Sequence, residues 1–203
     1  MTEAMWAFER QAAARGYARV CGCDEAGAGP LAGRVDAAAV ILPAGLELPW
    51  LNDSKKVTPR RRELLFDQIR DRALAWAVAW AEPEEIDALD ILNCRMLAMN
   101  RAVEALEPGS DYALIDGNRD HGSRYAITLA HETIVKGDGR SASIAAASIL
   151  AKVSRDRYME EMDQIYPQYE FARHKGYPTR RHYELLRRYG PCPIHRRSFL
   201  KKL

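Results

Sequence analysis

Four acidic side chains of this 203-residue chain follow short apolar runs or lie in glycine turns: Asp24, Glu25, Asp116 and Asp138. Carboxylates at the ends of buried strands are costly to desolvate, so they need a metal ion or strong hydrogen bonds. Oxygen ligands suit Mg²⁺ or Mn²⁺ better than zinc. Two such ions, about 3.5–4 Å apart, can orient an attacking water and stabilise the departing oxygen of a phosphodiester. The pattern therefore predicts metal-dependent phosphoryl transfer or nuclease chemistry.

The adjacent pair Asp24 and Glu25 sets a geometric condition on this site. Successive residues of a strand point to opposite faces, so both acids can share one site only if the chain bends there. Gly27 and Gly29 follow closely and permit such a bend. The alternative is a turn with two solvated acids after an edge strand.

The histidines and cysteines do not form a competing motif. The five histidines show no metal-ligand spacing on one helix face, so we expect each of them to be structural or at the surface: His121, His131, His174, His182 and His195. The four cysteines form neither a disulfide framework nor a paired zinc motif: Cys21, Cys23, Cys94 and Cys192. We expect Cys21 and Cys23, two apart on one strand, to pack as small hydrophobic side chains.

The hydrophobic periodicity predicts an α/β protein in which these acids end strands. Helices are predicted at residues 3–15, 59–71, 83–89, 92–106, roughly twenty residues from 143, and 180–189. Strands are predicted at residues 19–23, 37–42, 75–81, 112–116, 127–129 and 133–135. The first two strands most simply form a hairpin. We expect one domain over residues 1–203, with about 165–203 forming a basic helical extension that binds substrate.

The charge distribution separates the body of the chain from its tail. The net charge is only +2, yet residues 173–203 hold ten lysines and arginines and one acid, Glu184. The remaining 172 residues hold 20 basic and 27 acidic side chains. An acidic body with a basic tail suits a protein that binds metal ions in one place and phosphates in another. No apolar run is long enough for a membrane span or a signal peptide, so we expect a cytoplasmic protein.

Five motifs, in order, resemble the ribonuclease HII family: residues 24–33, 115–118, 136–138, 145–156 and 174–179. The resemblance implies a ribonuclease H-like fold, with a mixed β-sheet flanked by helices and a helical C-terminal extension. It also implies an endonuclease that hydrolyses the RNA strand of RNA–DNA hybrids and nicks 5′ of single ribonucleotides embedded in duplex DNA. Such an enzyme serves ribonucleotide removal, DNA repair and RNA primer removal. We expect a monomer.

The resemblance also implies roles for individual residues. Asp24, Glu25, Asp116 and Asp138 match the family's metal-binding acids, with two Mn²⁺ or Mg²⁺ ions in the active complex. The glycines of the Gly27-Ala28-Gly29 segment match those whose backbone reads the ribose 2′-hydroxyl. Tyr177 matches the tyrosine that stacks at the RNA-to-DNA junction. Three basic residues fall in family segments near the nucleic-acid backbone: Lys55, Lys152 and Arg155. For Lys55, a plain surface position is equally compatible with the sequence.

Two positions depart from the family pattern. Ala28 stands where the family has an arginine between two glycines, and Arg34-Val35-Asp36 replaces a usual Pro-Val segment. Loss of that arginine predicts reduced activity, unless Arg34 supplies the charge. Two alternatives remain at this point: a nucleic-acid-binding protein of the same fold that cuts poorly, and a ribonuclease H-like nuclease that acts on DNA. The retained acids favour an enzyme, and the glycine and Tyr177 segments argue against a DNA nuclease.

Overall fold

A five-stranded sheet forms the centre of the fold in the computed structural model, which describes residues 3–200. The strands are β1 (Val20–Ala26), β2 (Val35–Ile41), β3 (Ala75–Ala81), β4 (Tyr112–Asp116) and β5 (His131–Ile134). Their spatial order is β3-β2-β1-β4-β5. β1 and β2 form the predicted antiparallel hairpin, β3 continues it antiparallel, and β4 and β5 run parallel to β1. The predicted mixed sheet is confirmed.

Seven α-helices flank this sheet within the described residues. They are α1 (Ala7–Ala14), α2 (Pro59–Arg72), α3 (Pro83–Leu89), α4 (Ile91–Glu104), α5 (Ala142–Ile165), α6 (Phe171–His174) and α7 (Arg180–Tyr189). Short 3₁₀ turns include Gly137–Gly139, directly before α5. No helix among residues 3–200 is long and apolar enough to cross a membrane. The ends of the predicted domain and of its basic extension, residues 1–2 and 201–203, lie outside the described residues.

The two faces of the sheet are covered by different helices because strand side chains alternate. α2 and α5 pack on one face with Ala38 and Val40 of β2, and α4 packs on the other with Ala37 and Ala39. Gly22 of β1 lets α5 approach closely, since an added Cβ would lie 2.1 Å from the backbone nitrogen of Ile144. This close approach brings the beginning of α5 to the sheet, beside the ends of β1 and β4.

A separate small core holds the C-terminal helices against the loop after β1. Its buried members are Leu31, Ala32, Met159, Tyr169, Phe171, Leu185 and Leu186. Two backbone hydrogen bonds join the same parts: the N–H of Leu31 donates to Gly176, and the N–H of Gly33 donates to Ile194. The loop after β1 and the C-terminal segment therefore form one packed unit.

Three sequence predictions need correction. The predicted strand at residues 127–129 is absent, because the Asn100 side chain bonds this backbone instead: it donates to the carbonyl of Ala126 and accepts from the N–H of Thr128. β1 extends to Ala26, so Asp24 and Glu25 lie inside the strand and not after it. The last strand is His131–Ile134 and excludes Val135, which is exposed.

Candidate active site

Three of the four predicted acids meet at one edge of the sheet. Oxygen atoms of Asp24, Asp116 and Asp138 lie within 4.8 Å of one another. Asp116 ends β4, the parallel neighbour of β1, and Asp138 lies in the 3₁₀ turn before α5. The backbone N–H of Asp138 donates to Oδ1 of Asp116 at 3.2 Å. A strand pair and a helix entry thus converge on one group of carboxylates.

Strand alternation explains why these acids share a side. Asp24 lies on the same face of the sheet as Gly22, the residue against which α5 packs. Asp116 lies on the same face of the sheet as Leu114, which packs with Ile144 of α5. Both carboxylates therefore point to the α5 side, where the turn that carries Asp138 begins.

Glu25 follows Asp24 within β1 and therefore faces the α4 side of the sheet, although the charge of Asp116 still acts on it. Its Oε1 lies 2.7 Å from Nη2 of Arg95, on α4. Its Oε2 is buried and has no hydrogen-bond partner among the described residues. Glu25 is thus adjacent to Asp24 in the chain but lies outside the cluster of the three aspartates.

Burial and mutual repulsion disfavour negative charge at this site. Burial, followed by the charges of Glu25 and Asp116, raises the pKa of Asp24 well above its usual value. Burial and the charge of Asp116 raise the pKa of Asp138. Burial also raises the pKa of Glu25, although Arg95 opposes this shift. Lys55 is the nearby counter-charge: burial opposes its charge, but Asp24 and other site carboxylates outweigh it and raise its pKa.

This donor set fits a divalent cation. Three carboxylates within reach of one ion supply the oxygen ligands that Mg²⁺ and Mn²⁺ prefer. The orphaned Oε2 of Glu25 is a fourth oxygen without a protein partner. A bound cation would offset the repulsion that raises the pKa of Asp24.

The loop after β1 carries the predicted substrate-reading glycines. Gly27 has φ +97°, a conformation that favours glycine, and an added Cβ would lie 2.0 Å from Nε of Arg155. Gly29 is exposed, and an added Cβ there would meet nothing within 4 Å. Ala28 is half-buried between them. The loop is therefore packed tightly on its inner side and open at Gly29.

The three predicted basic contacts occupy different environments. Lys55 is exposed and close to the aspartates. Lys152 is half-buried on α5 and donates to Asp156 at 2.6 Å. Arg155 is buried, and its guanidinium donates to the backbone carbonyls of Ala32, Arg34 and Lys175. All three nitrogens of the Arg155 guanidinium thus donate to protein backbone.

Tyr177 is exposed at the edge of the C-terminal unit, with 39% of its surface accessible. Its ring centroid lies 5.8 Å from the Arg155 guanidinium. Its carbonyl accepts a 3.0 Å hydrogen bond from Nδ1 of His182. An exposed aromatic ring on a fixed backbone is suited to stacking on a base.

Sequence reasoning missed three residues around this site. Arg95 pairs with Glu25, the charge of Asp53 helps to raise the pKa of Asp138, and Arg196 is fully buried beneath residues 27–34. Asp53 stands two residues before Lys55, which the sequence did indicate, so its position in that segment was a signal. No sequence signal marks Arg95 or Arg196, because nothing in the residues around them distinguishes them from arginines at the surface.

Comparison with known proteins identifies close relatives over nearly the whole chain. The family model described as Ribonuclease HII matches residues 21–202. A ribonuclease HII of Desulfitobacterium hafniense is 53% identical over 197 residues, which cover 97% of this chain and 74% of the relative. A ribonuclease HII of Geobacter sulfurreducens is 53% identical over 196 residues, which cover 97% of this chain and 88% of that relative.

Solved structures share the fold. Ribonuclease H2 from Pyrococcus horikoshii superposes with a TM-score of 0.73 at 28% identity, covering 89% of this chain and 93% of that one. The RNase HII of a PCNA complex from Archaeoglobus fulgidus gives a TM-score of 0.73 at 26% identity, covering 88% of this chain and 94% of that one. A Bst-RNase HIII in complex with Mn²⁺ gives 0.61 at 19% identity, covering 85% of this chain and 63% of that one, and supports the fold alone.

Proposed function

This chain belongs to the ribonuclease HII family, and from that premise we propose that it nicks duplex DNA on the 5′ side of single embedded ribonucleotides. As a ribonuclease H it is a divalent-metal-dependent hydrolase of RNA in RNA–DNA hybrids. The finer substrate choice, with roles in ribonucleotide removal, DNA repair and RNA primer removal, is part of the proposal. The observation that carries it is the cluster of Asp24, Asp116 and Asp138 within 4.8 Å, beside the loop of Gly27 and Gly29.

The four acids are proposed to hold two Mn²⁺ or Mg²⁺ ions: Asp24, Glu25, Asp116 and Asp138. When bound, such ions lower the pKa of a coordinated water and stabilise the charge on the departing oxygen. The backbone N–H of Asp138 keeps the Asp116 carboxylate in one orientation through its 3.2 Å hydrogen bond. Arg95 holds one oxygen of Glu25 and leaves the other unpaired.

The remaining proposed residues place the substrate strand. The backbone of the Gly27-Ala28-Gly29 segment contacts the ribose 2′-hydroxyl, and Tyr177 stacks at the junction. Lys55 and Lys152 contact phosphates, and Arg155 supports the loop from beneath. In the hydrolysis, a water oxygen forms a new bond to phosphorus while the bond between phosphorus and the 3′ oxygen of the preceding nucleotide breaks. The 3′ oxygen gains a proton, and the ribonucleotide keeps the 5′ phosphate.

We extend the proposal to the organisation of the whole chain. Residues 1–203 act as one catalytic domain, in which residues 165–203 bind the duplex through exposed arginines such as Arg187 and Arg188. The enzyme works in the cytoplasm as a monomer. Activity is reduced because Ala28 offers no cation to a phosphate near the cleaved bond.

Three duplexes of equal length test this function: an RNA–DNA hybrid, a DNA duplex with one ribonucleotide, and all-DNA. With Mg²⁺ or Mn²⁺, the proposal predicts cleavage of the first two, an incision 5′ of the single ribonucleotide, and no product in EDTA. Asp67→Asn, at an exposed acid of α2, serves as a control that retains activity. Cleavage of the hybrid without incision at the single ribonucleotide would refute the finer substrate assignment. Cleavage of all-DNA would refute the reading of the 2′-hydroxyl.

A further inference from the structure

Arg196 is a fully buried arginine whose side-chain hydrogen bonds all go to one loop, residues 27–34. Its side chain donates to five backbone carbonyls: Gly27 at 2.7 Å, Ala28 at 3.1 Å, Pro30 at 2.9 Å, Gly33 at 2.8 Å and Arg34 at 3.2 Å. A guanidinium has five N–H donors in a rigid plane. The carbonyls of the loop therefore converge on a single side chain.

This burial is electrostatically costly. No carboxylate among residues 3–200 forms an ion pair with Arg196, and the Arg155 guanidinium lies close by. Burial, with a smaller contribution from Arg155, lowers the pKa of Arg196 to about 9. At neutral pH the side chain still carries its charge. A buried cation whose five hydrogen bonds all go to carbonyls of one loop fixes the conformation of that loop.

The orientation of the carbonyls determines where the neighbouring N–H groups point. In a trans peptide the C=O and the following N–H lie on opposite sides. The carbonyls of Gly27 and Ala28 point inward to Arg196, so the N–H groups of Ala28 and Gly29 point outward. Within the described part of the chain, neither N–H donates to a protein acceptor. The loop presents two unpaired donors at its open side.

We propose that Arg196 is a positioning residue that turns the N–H groups of Ala28 and Gly29 toward the ribose 2′-hydroxyl. This inference rests on the proposed function and deepens it. The segment that carries Arg196 is itself anchored: the N–H of Arg196 donates to Leu31, and Asp87 accepts from the N–H groups of Arg197 and Ser198. The C-terminal segment thus completes the substrate-reading loop from beneath, without touching substrate.

Arg196→Lys is the informative variant because it keeps the charge but replaces the planar five-donor group with a compact ammonium. Leu186→Ala is the matched control, since it weakens the same small core while Leu186 makes no hydrogen bond to residues 27–34. Binding is measured with EDTA present, so no strand is cut, to duplexes with and without one ribonucleotide. We expect Arg196→Lys to reduce the preference for the ribonucleotide about 10-fold, as loss of a hydrogen bond allows, and Leu186→Ala to preserve it.

NMR of the ligand-free protein separates this inference from the proposed function. We expect the parent's Ala28 and Gly29 amides to exchange rapidly with water while their order parameters stay near 0.85, as for rigid backbone. Arg196→Lys should shift both amide signals and lower their order parameters, and Leu186→Ala should not. A parent that binds both duplexes equally would refute the proposed function, but the NMR comparison would still decide the role of Arg196. Mobile parent amides, or an Arg196→Lys variant with unchanged amides and preference, would overturn the inference. If Arg196→Lys does not fold, the parent measurement alone decides.

Discussion

Arg34 forms a two-armed ion pair with Asp36, with 3.0 Å between Nη2 and Oδ2 and 3.0 Å between Nε and Oδ1. Asp36 is fully buried, and the Arg34 guanidinium also lies over the rings of Trp80 and Tyr158, 4.1 and 4.4 Å from their centroids. A guanidinium held in this way is not free to contact a phosphate. We therefore expect that Arg34 does not replace the cation that position 28 lacks.

Restoring that cation should raise activity. We expect Ala28→Arg to increase the cleavage rate or affinity about 10- to 100-fold, because a hydrogen bond to a charged group contributes roughly 1.5–3 kcal/mol. The slope of log binding constant against log salt concentration should steepen by about 0.9, which corresponds to one phosphate contact. Cleavage rates and salt titrations on the single-ribonucleotide duplex measure both effects.

Ala28→Gln is the control, because it adds a long side chain without a charge. Its cleavage rate and affinity should rise little above those of the parent. The double variant Arg34→Met with Asp36→Asn removes the ion pair without leaving a buried carboxylate unpaired. It should keep the parent's salt dependence. If Ala28→Arg gains nothing while the double variant folds and loses cleavage, then Arg34 does supply the phosphate contact.

Tyr177 should discriminate the junction by stacking. Tyr177→Ala should lose about 1–3 kcal/mol of stacking on the single-ribonucleotide duplex. Tyr177→Phe separates the ring from the hydroxyl and should retain most of the binding. Titrations with that duplex measure the loss, and a thermal melt of each variant checks the fold. Incision by Tyr177→Ala at the parent's rate would make the tyrosine a packing residue only.

The basic extension should set the salt dependence. Arg180 and Arg181 share the acids Glu184 and Glu170, whereas Arg187 and Arg188 are exposed without ion pairs in the described chain. Replacing Arg187 and Arg188 by Gln should flatten the log–log salt slope by up to about 1.8. Replacing Arg180 and Arg181 should change it less, because their charges are partly neutralised.

Two other exposed arginines, Arg10 and Arg15, lie outside the extension. Their replacement by Gln should leave the slope unchanged. An equal change for both pairs would mean that the whole surface, and not the extension, binds the duplex.

Buried histidines should make the fold sensitive to acid. His182 and His195 share a hydrogen bond of 3.0 Å between their Nε2 atoms, and burial lowers the pKa of each to about 4. The folded state thus keeps both neutral while the unfolded chain takes up protons near pH 6.5. Their contribution to stability is complete above about pH 6.5 and is lost as the pH falls toward 4.

Urea unfolding midpoints from pH 7.5 to 5 measure this effect. The unfolding midpoint of the parent should fall more between pH 7.5 and pH 5 than that of His182→Gln, because the glutamine side chain does not titrate. Parallel curves for the two proteins would contradict the assignment, since carboxylates common to both would then explain the whole pH dependence.

Local signals in the sequence predicted much of this fold. β3, α3 and α7 begin and end where predicted, because prolines, threonine caps and glycine stops mark their ends. The strand at residues 127–129 was wrong because the side chain of Asn100, distant in the chain, bonds that backbone. No local pattern reports such a contact.

The site was predicted in the same uneven way. Strand-end acids and glycine turns pointed to Asp24, Asp116 and Asp138, and the structure brings them together. The face of the sheet on which Glu25 lies depends on where β1 ends. The apolar run at residues 19–23 did not reveal that end. Arg196 was hidden because its role depends on the packing of the C-terminal segment under a loop more than 160 residues earlier.

The most direct test of metal-dependent catalysis by the acids is the single-turnover cleavage rate of Asp116→Asn. The substrate is the single-ribonucleotide duplex in Mg²⁺ or Mn²⁺, beside the parent and Asp67→Asn. We expect a loss of about 100-fold or more, since even outer partners of metal ligands contribute about 10- to 100-fold. The thermal midpoint should stay equal or rise, because the amide relieves repulsion with Asp24 and Asp138. Near-parental cleavage by a folded Asp116→Asn would contradict the account.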